Sequence, residues 1–153
     1  MTQHHIITGW REWAELPELG VESIKVKIDT GAKTSSIHAF EVMPFTQDGK
    51  EWIRFDIHPL QGQDHITRTC MAPILDYRWI TSSMGASQLR YIIQTTLKIG
   101  PIAAPIELSL ANRDEMGFRM LVGRDALHTE ILVDPNRSYL LTTPPASDTS
   151  EGE

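Results

Sequence analysis

The stretch Ile24-Lys25-Val26-Lys27-Ile28-Asp29-Thr30-Gly31-Ala32 alternates apolar and polar side chains up to Asp29 and then breaks into a glycine turn. A period of two places Ile24, Val26 and Ile28 on one face, so the segment reads as a half-buried strand that delivers a carboxylate into a turn. The same period recurs outward from it. Ile53, Phe55 and Ile57 alternate with Trp52, Arg54 and Asp56, and the preceding Asp48-Gly49 is a hairpin signal that makes Ile37 to Phe45 their partner strand. Tyr91 to Ile99 and Ile106 to Leu110 form another hairpin around Gly100-Pro101. Further on, Leu121-Val122-Gly123-Arg124-Asp125-Ala126-Leu127 reads as a strand, a glycine turn and a short helical stub. Ile131 to Asp134 and Ser138 to Thr142 read as closing strands about the turn Asp134-Pro135-Asn136. Trp10 to Leu19, interrupted by Pro17, suits an edge strand. Helical periodicity is nearly absent, and many short strands between turn signals predict an all-β barrel or sandwich.

A chain of 153 residues with 41% hydrophobic and 22% charged residues fits one domain with a sizeable core. We expect that domain over residues 1–143, followed by a disordered acidic tail over 144–153 that has little to bury. Lys and Arg total 14 against 20 Asp and Glu, a net charge of −6 that disfavours nucleic acid and anionic lipid as partners. Cys70 is the only cysteine, so no intrachain disulfide forms, which suits a reducing compartment. No apolar run reaches the roughly 20 residues of a membrane-spanning helix, and the opening residues lack the pattern of a secretory signal, so a cytoplasmic protein is expected.

Asp29-Thr30-Gly31 is the candidate for chemistry. Gly31 lets its amide and a neighbouring chain approach the carboxylate, and the Thr30 hydroxyl can tie the turn to a facing copy. Such a turn calls for a second aspartate. Two carboxylates held about 3 Å apart share a proton, one activating water as base while the other donates to the substrate carbonyl, which is metal-free peptide hydrolysis. The plainer reading is a polar turn after a strand.

Asp29-Thr30-Gly31-Ala32 followed by Val122-Gly123-Arg124-Asp125 resembles the retropepsin-like aspartic peptidases. The resemblance implies a closed acid-protease barrel with one short C-terminal helix. Gly123 would lie beneath the catalytic turn and Arg124, beside Asp125, would anchor a dimer interface. Only one Asp-Thr-Gly occurs, so it also implies a homodimer with one Asp29 from each subunit. A closer likeness covers roughly residues 6–143. It rests on Gly9-Trp10-Arg11-Glu12-Trp13, Leu16-Pro17-Glu18-Leu19-Gly20, Lys27 to Ala39, Asn112-Arg113-Asp114-Glu115-Met116 and Leu121-Val122-Gly123-Arg124. These are similar to a bacterial family labelled ATP-dependent zinc protease, associated with the ATP-grasp ligase that adds glutamates to a ribosomal protein.

That label conflicts with the fold the family is given. Catalytic zinc needs about three protein ligands and an open position, yet no His-Glu-x-x-His occurs, and His38, His58, His65, His128 and Cys70 are scattered. Gly31-Ala32-Lys33-Thr34 lacks the upstream glycine of a phosphate loop, so any ATP dependence belongs to a partner. No metal or other cofactor is expected. Viral retropepsins carry an aspartate where this chain has Lys33, and a cation so near the dyad suits an acidic substrate. Lys33, Arg78 and Arg90 are therefore candidate substrate-binding residues, with Arg68, Arg113 and Arg119 as further cations; the family motif adds Ala32 and His38, the latter either in substrate contact or bonded to backbone in a structural role. A glycine-bearing hairpin should close over the cleft, Ser82 to Ser87 being preferred to Gln47 to Lys50. Two functions compete, an aspartic peptidase acting on acidic or polyglutamate tails and a non-catalytic module that binds such tails or the ligase, with a zinc-dependent hydrolase as the third reading.

Overall fold

In the computed structural model, which describes residues 5–59, 66–81, 85–112, 117–127 and 130–145, eleven strands account for nearly all regular structure. They are β1 (Ile6–Gly9), β2 (Arg11–Leu16), β3 (Val21–Asp29), β4 (Ser35–His38), β5 (Phe40–Gln47), β6 (Lys50–Ile57), β7 (Arg68–Thr81), β8 (Ser87–Ile99), β9 (Ile102–Ala111), β10 (Met120–Gly123) and β11 (Ile131–Asp134). Nine of them form one sheet in the order β2-β3-β10-β4-β9-β8-β7-β6-β5. A further pairing of β2 with β8, Glu15 opposite Lys98, curls six of these strands into a near-ring. The remaining two, β1 and β11, pair in parallel.

Alternation explains the ring. The inward positions Ile24, Val26, Ile28, Ile93, Leu97, Ile99, Ile106, Leu108 and Val122 are all buried, and each fully buried aliphatic side chain contributes about 1.5–3 kcal/mol relative to exposure. The helical stub expected after Gly123 is a single 3-10 turn, Arg124–Ala126, and a second 3-10 turn, Pro17–Leu19, follows β2 where Pro17 breaks the strand. Among the described residues no helix is long and apolar enough to cross a membrane.

Three segments depart from expectation. The single strand read over Ile37 to Phe45 is two, because the chain leaves β4 at Ala39 and pairs with β6 only from Phe40 on. Residues 68–81, not marked as a strand at all, form the 14-residue β7. Ser138 to Thr142 is not a strand. Its backbone is held instead by one buried carboxylate: Glu12 accepts hydrogen bonds from Leu140 N (2.9 Å), Leu141 N (3.1 Å) and Thr142 Oγ1 (2.7 Å), as well as from Gly9 N (2.7 Å). Glu12 is fully buried, and a carboxylate is tolerated there only because donors from both ends of the chain surround it. Arg11, with its guanidinium carbon 4.9 Å from the Trp10 ring and 5.1 Å from the Tyr139 ring, seals the same junction. Of the expected tail, Pro144 and Pro145 have no regular structure and residues 146–153 lie outside the described set.

Candidate active site

Asp29 ends β3 because β10 runs parallel beside it, with Val122 opposite Ile28 and Gly123 opposite Asp29. The chain then turns back within two residues, Ala32 N donating to Asp29 O at 3.2 Å. The Gly31 amide donates to Asp29 Oδ1 at 3.0 Å and so orients the carboxylate, which is half-buried at the mouth of the ring.

A second layer supports this turn from below. Lys33 and Thr34 cross directly over Gly123, where a Cβ would lie 2.7 Å from Thr34 C and 2.8 Å from Lys33 O, so only glycine allows the crossing. Gly123 N donates to Ser35 Oγ at 3.0 Å. Arg124 N donates to Ala32 O at 2.8 Å and Asp125 N to Lys33 O at 3.0 Å, while the Arg124 side chain reaches Thr30 O at 3.4 Å. Thr30, Gly31 and Lys33 are left on the surface. The two sequence motifs, 94 residues apart in the ladder of contacts, are thus one structural unit.

Beside the turn lies a polar cavity of about 830 Å³. Lys33, Thr34 and Ser35 line one part of it with Asp125 and Ala126, and Arg78 to Thr81 of β7, Gln94 of β8 and Pro105 to Glu107 of β9 line the rest. Lys33 and Arg78 therefore share one cavity. The Arg78 guanidinium is bonded to Asp76 and Glu107, and the bond to Glu107 raises its pKa above the usual arginine value. Arg90, cross-strand neighbour of Arg78, is buried and donates to Gln88 Oε1 (2.9 Å) and Ser109 Oγ (3.3 Å) rather than lining the cavity. His38 lies elsewhere. β4 is antiparallel to β10, with Ser36 opposite Leu121 and Ile37 opposite Met120, so His38 sits at the end of β4 remote from Gly123. Its ring is 6.1 Å from that of Phe40, which is 4.5 Å from His58. Arg113 and the tip 82–84 of the preferred hairpin fall outside the described residues, whereas the alternative turn Gln47 to Lys50 joins β5 to β6 at the far edge of the sheet.

Sequence reading did not single out Glu107, Trp79 or Gln94 as cavity residues, nor Ser35 as the acceptor for Gly123. On an alternating strand Glu107 looks like any solvated outer residue, and nothing local marks the fold that brings it to Arg78.

Of the scattered candidates for zinc, His65 and His128 lie outside the described residues. Among the described residues no group of three or more His, Cys, Asp or Glu side chains is gathered to hold a metal ion. Cys70 is buried, its sulfur 3.6 Å from Leu19 O, and burial pushes its thiol up to about 11, away from the thiolate form that a metal requires.

Comparison with known proteins bears on this geometry. Relatives include proteins named probable alpha-L-glutamate ligase from Shewanella pealeana, 44% identical over 92% of this chain, and from Desulfotalea psychrophila, 46% identical over 84%. The chain spans 31% and 28% of those proteins, about a third of their length. The crystal structure of Lpg0085 from Legionella pneumophila, described as having unknown function, superposes with a TM-score of 0.72 over 90% of this chain and 98% of that one; at 23% identity the likeness concerns the fold. The model of the RimB-like family, described as retropepsin-like aspartic endopeptidase RimB, matches residues 7–144, the span that holds the Asp29 turn, its Gly123 support and the Glu12 junction. The chain belongs to the RimB-like family of retropepsin-like proteins.

Proposed function

We propose that this chain is a homodimeric aspartic peptidase in which Asp29 of each subunit supplies half of a catalytic dyad, acting on acidic or polyglutamate tails. The observation that carries the reading is the seating of Asp29: a carboxylate oriented by the Gly31 amide, in an exposed turn fastened to Gly123-Arg124-Asp125. One such turn per chain supplies one carboxylate, and the chemistry of proton sharing needs two. In the dimer one carboxylate takes a proton from water as it attacks the peptide carbonyl, and the other donates its proton to the carbonyl oxygen. Lys33, exposed next to the turn and on the cavity wall, is suited to receive a substrate carboxylate.

Relatives named as glutamate ligases carry this region as about a third of a longer chain, which supports a working association with an ATP-grasp ligase whose product would be the acidic tail. The same Lys33-lined cavity also favours a second reading, a module that binds acidic tails without cutting them.

Cleavage of oligoglutamate by wild type and Asp29→Asn, with sedimentation velocity on both, tests the reading. The expected result is turnover that tracks the dimer and a loss of at least about 10³-fold in Asp29→Asn, in line with removal of an acid–base group. Tail binding without turnover over a broad pH range would favour the binding module. Equal rates for the two proteins, or full activity in a monomer, would exclude the dyad.

A further inference from the structure

Arg78 stands where the barrel gives way to a two-stranded ribbon. The register of β7 on β8 shifts between Ile74 and Asp76, and past this bulge the two strands pair only with each other: β6 accompanies β7 as far as Pro73, and β9 accompanies β8 from Ile92. Among the described residues, Asp76–Thr81 and Ser87–Tyr91 are therefore tied to the barrel by strand pairing at one end only, with a side-chain bond from Arg90 to Ser109 of β9 at the same end. An isolated pair of strands is marginally stable and twists strongly, so something must set the direction in which this one bends. Asp76 starts the ribbon, its Oδ1 accepting from Tyr77 N at 2.7 Å and its Oδ2 from Arg78 Nη1 at 3.1 Å. The other guanidinium nitrogen, Arg78 Nη2, donates to Glu107. Arg78 is paired with Arg90 and Glu107 with Gln94, so this contact reaches diagonally across β8 from the ribbon to β9. Both of its ends lie on the cavity wall.

We propose that Arg78 and Glu107 form a clip that holds the β7–β8 ribbon bent over the cavity, which makes them positioning residues rather than receptors for the substrate's charge. Two carboxylates already engage both terminal nitrogens of the guanidinium, and a third would meet three side chains that together carry a net charge of −1. The substrate's carboxylate is left to Lys33. This last step rests on the acidic-substrate reading, whereas the clip does not. The two side chains are 38% and 47% exposed, so the contact is open to salt screening and its hold is modest, about two- to five-fold in the bent-to-released ratio.

Amide hydrogen exchange on the full chain reads the clip directly. In Glu107→Gln and Arg78→Gln, exchange over Arg78–Thr81 and Ser87–Arg90 should rise about two- to five-fold while Ile24–Ile28 exchanges as in wild type. The doubly reversed Arg78→Glu/Glu107→Arg chain should restore part of the wild-type protection relative to Arg78→Glu alone, Asp76 then opposing the acid at position 78, and 0.5 M salt should move wild type towards the single variants. Kinetics on oligoglutamate supply the second readout: Glu107→Gln should raise KM several-fold and leave kcat unchanged. Were Arg78 itself the receptor for a substrate carboxylate, removing Glu107 would free it and lower KM instead. Unchanged ribbon exchange in both single variants, no restoration by the double reversal, or a lowered KM would each overturn the clip. A wild-type protein inert towards oligoglutamate would refute the peptidase reading alone, with the exchange arms still deciding the clip.

Discussion

Gly123→Ala isolates the contact on which the catalytic turn rests. The backbone at Gly123, φ −83° and ψ 170°, is open to any residue, so the whole cost of alanine is steric. Its Cβ would meet Thr34 C at 2.7 Å, Lys33 O at 2.8 Å and Lys33 C at 2.9 Å, whereas ordinary contact begins at 3.4 Å. The Lys33-Thr34 crossing must retreat by the difference, about 0.5–0.7 Å. That lengthens the bonds from Arg124 N to Ala32 O and from Asp125 N to Lys33 O, now 2.8 and 3.0 Å, to the edge of hydrogen-bonding range. Overpacking costs about 1–3 kcal/mol and each weakened hydrogen bond about 0.5–1.5 kcal/mol, so the expected loss is about 3 kcal/mol. For a domain of this size that lowers Tm by roughly 6–12 °C. The lifted turn carries Asp29 with it, so oligoglutamate cleavage should fall by more than the loss of folded protein accounts for. A useful contrast is Gly49→Ala: Gly49 has φ +76° with open space around the added Cβ, so alanine there costs about 1–2 kcal/mol through backbone strain and leaves cleavage per folded molecule unchanged. The assay pairs calorimetry with initial rates. A Gly123→Ala protein that melts within about 2 °C of wild type and cleaves normally would refute the claim that the two motifs form one mechanical unit.

Glu12→Gln keeps the shape of the buried side chain but offers one acceptor oxygen where the carboxylate had two, and orphaning a buried N–H costs about 1–3 kcal/mol; denaturant unfolding should show a loss of at least that size, and an unchanged midpoint would dismiss the junction as a stabilising element. Cys70, with its thiol raised from 9.0 to about 11, should alkylate with a rate that climbs towards pH 11 rather than levelling near pH 9. Because the native thiol keeps its proton longer than the unfolded one, the stability it contributes is complete below pH 9 and is lost as pH rises through 11; Cys70→Ala should flatten that alkaline decline, and an identical decline in the variant would contradict it. Lys33→Met should raise KM for oligoglutamate about ten-fold or more while sparing a neutral peptide, and equal effects on both substrates would remove Lys33 from charge recognition.

What the sequence makes legible here follows from which signals are local. The alternation of Ile24, Val26 and Ile28 needs only its own strand, and Asp48-Gly49 needs only its own turn; both elements are where periodicity puts them. β7 escaped notice because its apolar residues change sides: Cys70 and Ala72 occupy inward positions and are buried, Pro73 interrupts the polar alternation, and Leu75, Tyr77 and Trp79 occupy outward positions and are exposed, while Arg78 takes an inward one. Ser138 to Thr142 has the alternation of a strand, but its donors are taken by Glu12, a residue some 130 positions away. The site divides along the same line. Asp29, Gly31 and Gly123 are readable because a tight turn and a close crossing demand particular residues, whereas Glu107 and Ser35 acquire their roles only when distant strands meet.

The Glu12 junction also orders events during synthesis. A ribosome makes Glu12 some 130 residues before the donors at Leu140, Leu141 and Thr142. Until then this carboxylate must stay wet, which forbids the terminal strands from docking and leaves the nascent barrel unsealed. Polypeptides released short of Thr142 should therefore be open, protease-sensitive species, and synthesis of Leu140 to Thr142 is the trigger that seals the barrel.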